Sequence, residues 1–211
     1  DEPRFVRAFK ENLEFTGGLA VKYDQSALVA ASTHQTLATG LEIGRRFHSA
    51  PVVRLADAMQ MQLGHLAEAD GRWRIYAFAG CNDCSSAGSA IHQLADWLEQ
   101  DANSPLVKYT RDGEDIDAFI DLRAVFQQTF DQLAYEDMPS LLRPYSGKLG
   151  LQDHEKVFCT DHKGRGDIFD MRGIDRNKGA LDTVRPDQYI AHVLPLDGFS
   201  ELAAFFDAIY G

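Results

Sequence analysis

The clearest pattern of hydrophobic and polar positions lies between residues 72 and 126. Residues 72–79 carry bulky apolar side chains on both faces, which is typical of a central strand covered on both sides. Apolar residues then recur at helical spacing, and Ser85 or Ser86 is positioned to cap the predicted helix; these residues are Ile91, Leu94, Ala95 and Leu98. In residues 115–126 apolar side chains alternate with a period of two, which predicts a second strand. The three segments form a β-α-β unit.

Further elements surround this unit. A short strand is predicted at residues 51–55, followed by a turn at Asp57 and a possible second strand. Two later strands lie in EKVFCTD (155–161) and in DTVRPDQYIAHVLPL (182–196), and a tight Arg-Pro-Asp turn lies within the latter. Residues 199–210 form a closing helix that buries Leu202, Phe205, Phe206 and Ile209. The order predicts an α/β, thioredoxin-like domain with a central mixed sheet flanked by helices.

The N-terminal part has a different pattern. In residues 3–16, Phe5, Val6, Phe9 and Leu13 share one face of an amphipathic helix that needs a surface to lie on. Residues 16–44 are rich in Gly, Ser and Thr, which indicates an irregular connector and no core element. The predicted division is therefore a helix and connector at 1–44 and a thioredoxin-like domain at 45–211. Because the chain opens at Asp1 without a Met, we expect a piece of a longer protein.

Composition restricts the class of partner and the compartment. The 211 residues carry a formal charge of −11, which argues against a nucleic-acid partner because no excess of Lys and Arg is present. No apolar run approaches the roughly 20 residues that span a bilayer, and the N-terminus does not resemble a signal peptide, so no membrane partner is expected. Three cysteines form an odd, sparse set, which favours a reducing cytoplasm.

Cys81-Asn82-Asp83-Cys84 follows the predicted central strand, where a thiolate at a helix N-terminus would have a lowered pKa and could attack a disulfide. Three details oppose this interpretation. Phe78 lies three residues before Cys81, whereas about five separate the corresponding residues in redox-active thioredoxin relatives. Asp83 places a negative charge beside the thiolate, and no Thr-Pro or Val-Pro precedes the later strand. Ordinary cysteines are the favoured interpretation, with Cys81 and Cys84 as an alternative redox pair.

Four stretches resemble one family: RRFHSAPVVRLADA (45–58), ADGRWRIYAFAG (69–80), FIDLRAVFQQ (119–128) and GIDRNKGALDTVRPDQYIAHVLPLD (173–197). They are similar to the C-terminal region of the flavin-dependent phenol hydroxylase and 3-hydroxybenzoate 4-monooxygenase family. The resemblance implies a thioredoxin-like domain without thiol chemistry that follows a large FAD- and substrate-binding portion. It also implies FAD and NAD(P)H for the parent enzyme, and as partners its own hydroxylase body and a second subunit in a homodimer. The N-terminal helix resembles the last helix of that body.

No flavin or metal site is predicted within the chain. The only candidate for a G-x-G-x-x-G turn is Gly164–Phe169, which lacks the third glycine and lies between predicted strands. Gly166-Asp167 does not match the family's second flavin motif. No two of the seven histidines have a metal-ligand spacing, and the Cys159–His162 segment would need ligands from elsewhere; the histidines are His34, His48, His65, His92, His154, His162 and His192. We therefore expect no catalytic, cofactor-binding or metal-binding residue.

Three functions compete at this point. The favoured one is a structural and subunit-association domain of a flavin-dependent aromatic monooxygenase, inactive alone. The second is a free-standing thiol-disulfide oxidoreductase that uses Cys81 and Cys84. The third is a thioredoxin-fold protein of unrelated role. The terminal aromatics are predicted to be core residues whose stripe extends into a subunit contact; they are Phe199, Phe205, Phe206 and Tyr210.

Overall fold

The computed structural model describes residues 4–160 and 166–211. Its α-helices are α1 (Arg4–Thr16), α2 (Ala90–Gln100), α3 (Pro105–Tyr109), α4 (Ile168–Met171) and α5 (Phe199–Tyr210). Its strands are β1 (Pro51–Arg54), β2 (Gln60–Gln62), β3 (Trp73–Phe78), β4 (Ile120–Phe126), β5 (Tyr145–Ser146), β6 (Leu151–Gln152), β7 (Val157–Thr160), β8 (Ala180–Val184) and β9 (Ile190–Leu194). Short 3₁₀ turns lie at Gln35–Leu37, Leu63–Leu66, Phe130–Gln132, Tyr135–Asp137 and Ser140–Leu142.

Seven strands form one mixed sheet in the order β2-β1-β7-β4-β3-β8-β9. The central pairs β3–β4 and β4–β7 are parallel, whereas the outer pairs are antiparallel. β3, α2 and β4 form the predicted β-α-β unit. The strands on either side of the predicted Arg-Pro-Asp turn are β8 and β9, which pair as a hairpin that leads into α5. This arrangement confirms the thioredoxin-like α/β fold. The hairpin β5–β6 stands apart as a separate two-stranded sheet.

The sheet is covered on both faces, as the apolar pattern of β3 predicted. One face packs against the buried stripes of α2 and α5, and the four residues predicted for α2 are at most 1 % exposed. The other face packs against a second cluster of buried side chains, which includes two residues of the short helix α4. A sheet buried on both sides needs a second covering layer, so another part of the chain must provide it.

The connector provides that layer. Its backbone is irregular, as predicted, but the expectation that it contributes nothing to the core is wrong. Val29, Leu37, Leu41 and Ile43 are buried in the second cluster. The backbone N–H of Ala30 and that of Gly44 also donate to carbonyls of β9, at 2.8 Å each. The connector therefore covers both a face and an edge of the sheet.

Two predicted boundaries differ from the structure. β4 begins at Ile120, and residues 116–119 form a turn in which the carboxylate of Asp117 contacts Lys156. Between β7 and β8, Gly166 is followed by a helix that was not predicted, the four-residue α4, which Asp167 caps with its carboxylate. Gly164, Arg165 and His162 lie outside the described residues, so the candidate glycine motif and the Cys159–His162 segment are described only in part.

Candidate association surfaces and the Cys81–Cys84 segment

The loop after β3 carries both candidate thiols. Cys81 is half-buried and Cys84 is exposed, and neither forms a disulfide. The backbone N–H of Cys81 donates to the carbonyl of Arg176 at 2.7 Å, and Gln128 Nε2 donates to the Cys81 carbonyl at 3.0 Å. Cys81 Sγ contacts Asn177 Oδ1 at 3.5 Å. This part of the loop is thus fastened to the segment that precedes β8.

Helix α2 begins later than predicted. Its first residue is Ala90, six residues after Cys84, and its N-cap residue is Ser89, so the assignment of the cap to Ser85 or Ser86 is wrong. The missing cap is supplied by Asp83, which is 7 % exposed. Its carboxylate accepts from the backbone N–H of Ser85 and from that of Ile91, at 2.9 Å each.

The position of Asp83 bears on the thiol chemistry. The positive end of a helix dipole stabilises one anion close to it, and a buried carboxylate already takes that place. A thiolate at Cys81 or Cys84 gains little from α2, because the helix begins beyond both cysteines. This geometry supports the prediction of ordinary cysteines, which stays a prediction.

The third cysteine is a core residue. Cys159 lies on β7 and is fully buried. Burial, with a smaller contribution from the charge of Asp131, raises the pKa of its thiol to about 12. A thiol with such a pKa is protonated at neutral pH and is a poor nucleophile and metal ligand. Within residues 4–160 and 166–211, no three His, Cys, Asp or Glu side chains are grouped to hold a metal ion.

A buried ion network that the sequence did not predict joins β3, β4 and β7. Lys156 Nζ contacts Asp117 and Asp121 at 2.6 Å each. Arg123 Nη2 and Arg74 Nε approach Asp121 at 2.9 and 3.2 Å. Burial alone would raise the pKa of Asp121, but the charges of Arg123 and Lys156 outweigh it and lower the pKa to about 2. Each of the two buried carboxylates contacts at least one cation, so we interpret the network as structural.

The segment around Gly166 does not fit a flavin pyrophosphate. Asp167 Oδ1 accepts from the backbone N–H of Phe169 at 2.8 Å, and Asp167 Oδ2 pairs with Arg176 at 2.7 Å. A phosphate at this helix start would meet the Asp167 carboxylate, and α4 has only four residues to contribute a dipole.

Among residues 4–160 and 166–211, exposed apolar side chains are grouped on α1 and on the β5–β6 hairpin. On α1, Phe5, Phe9, Leu13 and Phe15 are all more than half exposed, so the predicted amphipathic helix forms but its apolar face has no cover. On the β5–β6 hairpin, Tyr145, Leu149 and Leu151 are 67 %, 83 % and 66 % exposed. The hairpin was missed because its strands have two residues each, too few for a period to appear.

The terminal aromatics divide between core and surface. Phe205 and Phe206 are buried and pack edge-on against Trp73. Tyr210 is 47 % exposed, and its hydroxyl accepts a hydrogen bond from Trp73 Nε1 at 2.8 Å. The core prediction is therefore confirmed for Phe205 and Phe206, whereas Tyr210 is a surface residue. No described helix has the length and apolar character that a membrane crossing requires.

Comparison with known proteins identifies the family. The model of the phenol hydroxylase C-terminal dimerisation domain matches residues 21–210. The chain is 50 % identical over 209 residues to 3-hydroxybenzoate 4-monooxygenase from Comamonas testosteroni, covering 99 % of this chain and 33 % of that protein. It is 35 % identical to the FAD-dependent monooxygenase terD from Aspergillus terreus, covering 96 % of this chain and 34 % of that protein.

The chain thus spans about a third of the length of these relatives. Among solved structures, a putative protein disulfide isomerase from Bacteroides thetaiotaomicron superposes with a TM-score of 0.47 at 14 % identity, covering 80 % of this chain and 88 % of that one. The family model extends from the connector to α5 and so includes the whole sheet and the exposed hairpin. The chain belongs to the family of phenol hydroxylase C-terminal dimerisation domains.

Proposed function

We propose that this chain is the subunit-association domain of an FAD-dependent aromatic monooxygenase of the phenol hydroxylase type, and that it is inactive alone. The observation that carries the proposal is the match of residues 21–210 to the dimerisation-domain model, together with relatives three times as long. The described residues support a scaffold: Asp121 in β4 is paired with Lys156, and the helix start after Gly166 is already capped by Asp167.

FAD and the aromatic substrate are assigned to a portion of the parent enzyme that precedes Asp1. The relatives are monooxygenases, and one is named as FAD-dependent. A reduced nicotinamide nucleotide, NAD(P)H, is the proposed electron donor of the parent. Because the segment around Gly166 does not fit the flavin pyrophosphate, we assign no cofactor-binding or catalytic residue to this chain.

Two partners are proposed, a hydroxylase body and a second subunit. Helix α1 lies outside the matched family domain, which begins at residue 21, yet the alignment with the Comamonas testosteroni relative covers 99 % of the chain. We therefore assign α1 to the preceding body, whose surface would cover Phe5, Phe9 and Leu13. The predicted division at residues 44 and 45 stays a proposal, since the connector packs on the sheet. The second subunit completes a homodimer.

A cytoplasmic location without nucleic-acid or membrane partners accompanies this proposal. The charge of −11 disfavours binding to a phosphate backbone. The described cysteines are free thiols, as expected in a reducing compartment.

The alternative of thiol-disulfide exchange at Cys81 and Cys84 has a direct test. Because α2 starts beyond both residues and Asp83 occupies its N-terminus, we expect no reduction of a protein disulfide by the purified chain. Turnover that disappears in Cys81→Ser and survives in the buried-site control Cys159→Ser would support the alternative and contradict the scaffold.

The parentage is tested separately. The reading frame upstream of Asp1 is expected to encode a G-x-G-x-x-G turn after a strand, several hundred residues earlier. The purified chain, mixed with FAD and desalted, is expected to elute without flavin absorbance. Retained flavin would show a cofactor site in this chain and overturn the assignment.

A further inference from the structure

We propose that the β5–β6 hairpin, residues 145–152, is an arm that binds a second copy of this chain. The inference rests on the proposed function and names the surface that performs it. Four properties of the hairpin support this proposal: its exposed faces, its hydrogen bonds to the domain, its charge and its surface area.

The hairpin exposes apolar side chains on both of its faces. Tyr145 pairs with Gln152 and Ser146 pairs with Leu151, so the side chains of Tyr145 and Leu151 lie on opposite faces. Leu149, at the tip, is 83 % exposed. A hairpin that packed on its own domain would hide one face, and here neither large apolar residue is hidden. Another protein surface is needed to cover them.

The arm is held in one conformation before any partner arrives. At its base the backbone N–H of Asp153 donates to the carbonyl of Pro144 at 2.8 Å. Near its tip the N–H of Gly147 donates to Asp115 Oδ2 at 2.8 Å. Asp153 also pairs with Lys156 at 3.2 Å, which ties the base to the buried ion network. A preorganised arm loses little conformational entropy on binding.

Charge favours a second copy as the occupant. The chain carries −11, so two copies repel each other over most of their surfaces. Residues 138–152 contain no Asp or Glu and carry two cations, Arg143 and Lys148. The two cations of this segment are therefore attracted electrostatically to a second, acidic copy of the chain, whereas the acidic surfaces of the two copies repel each other. The hairpin also lies inside the matched dimerisation domain, whereas α1 lies outside it.

The surface area of the hairpin is too small to form a stable interface alone. A stable interface buries about 800 Å² per subunit, which is more than three side chains provide. In a two-fold dimer, however, each contact occurs twice, once from each arm. The arm is therefore an energetic anchor within a wider interface, and Leu149 and Leu151 are its central residues.

The test is sedimentation equilibrium of the complete 211-residue chain and three variants over a range of concentrations. We expect the wild type to dimerise and Leu149→Glu to raise the dimer dissociation constant by about 100-fold or more. The double variant L149S/L151S is expected to weaken the dimer similarly, which excludes charge repulsion as the cause. Leu28→Glu is the matched control at an exposed leucine of the connector, and it should leave the dimer intact.

The outcomes distinguish failure of the hairpin proposal from failure of the subunit-association proposal. Far-UV circular dichroism should match the wild type for all variants, since the substituted side chains are exposed. A wild type that dimerises while both hairpin variants dimerise equally well would overturn the arm and leave the association function standing. A wild type that stays monomeric at every concentration would overturn the association function of this chain, and the arm with it.

Discussion

At the scale of single residues, Asp182 is the most unusual side chain in the sheet. It lies on β8 opposite Tyr76 and is fully buried. Neither carboxylate oxygen has a hydrogen-bond partner among the described residues. Burial raises the pKa of this carboxyl well above its usual value, because the charged form cannot be solvated there. The folded protein therefore favours the protonated acid.

This burial predicts a pH-dependent stability. An acid whose pKa is raised by folding holds its proton in the folded chain and releases it on unfolding. The free energy of unfolding therefore falls as pH rises above the unfolded pKa, by at most about 1.4 kcal/mol per unit, and levels off above the folded pKa. Asp182→Asn should remove this contribution, and Asp182→Val should also remove the buried polar group.

Urea denaturation at about pH 5 and about pH 7 measures the effect, because both values lie above the usual carboxyl pKa. We expect the stability of each variant relative to wild type to be greater at the higher pH. A relative stability that is the same at both values would mean that Asp182 is ionised or hydrogen-bonded in the folded chain.

At the scale of elements, Lys156 is the cation that contacts both buried carboxylates of the ion network, Asp117 and Asp121. The stability of the sheet around β4 should therefore depend on this lysine. Lys156→Met should destabilise the chain by about 3–5 kcal/mol, because it leaves Asp117 and Asp121 buried beside a missing cation. Lys22→Met is the matched control, since Lys22 pairs with Glu42 at an exposed site. Equal, small losses in urea denaturation would contradict the structural role of the network.

The connector supplies a second prediction at this scale. Leu41 is 1 % exposed and belongs to the cluster beneath the sheet, so Leu41→Ala should cost about 2–5 kcal/mol of unfolding free energy. Leu28→Ala, at an exposed connector position, should cost little. If the two variants have the same thermal midpoint, the connector does not form a covering layer.

The predictability of the elements followed their periodicity. α2 and α5 were predictable because apolar residues recur in them at helical spacing, and β3 was predictable because its apolar residues lie on both faces. The connector was not, because Leu37, Leu41 and Ile43 are buried from an irregular backbone that has no period. The start of α2 was missed because the carboxylate that caps it belongs to Asp83, seven residues before the helix. N-cap preferences concern the residue directly before the first helical residue.

The candidate site was less predictable than the fold. Asp121 and Arg123 in β4 suggest a solvent-facing side in the sequence, yet both are buried because Lys156 and Arg74 arrive from neighbouring strands. These ion pairs join residues that are far apart in the sequence, so the spacing of residues within β4 does not predict them. The hairpin at 145–152 has two-residue strands, so its exposure also became visible only in the folded chain.

At the scale of the whole molecule, the chain combines a fully covered sheet with two uncovered apolar surfaces at different places. One, α1, precedes the matched domain, and the other, the β5–β6 hairpin, lies within it. The buried charges of β3 and β4 lie in internal ion pairs, in which Arg74 and Arg123 contact Asp121.

The most direct test of that role is the mass of the 211-residue chain in solution, measured by light scattering across a concentration series at physiological ionic strength. We expect a colourless species whose mass approaches twice the 23.5 kDa of one chain as concentration rises. A constant mass of 23.5 kDa at every concentration, or a yellow protein that keeps flavin, would contradict it.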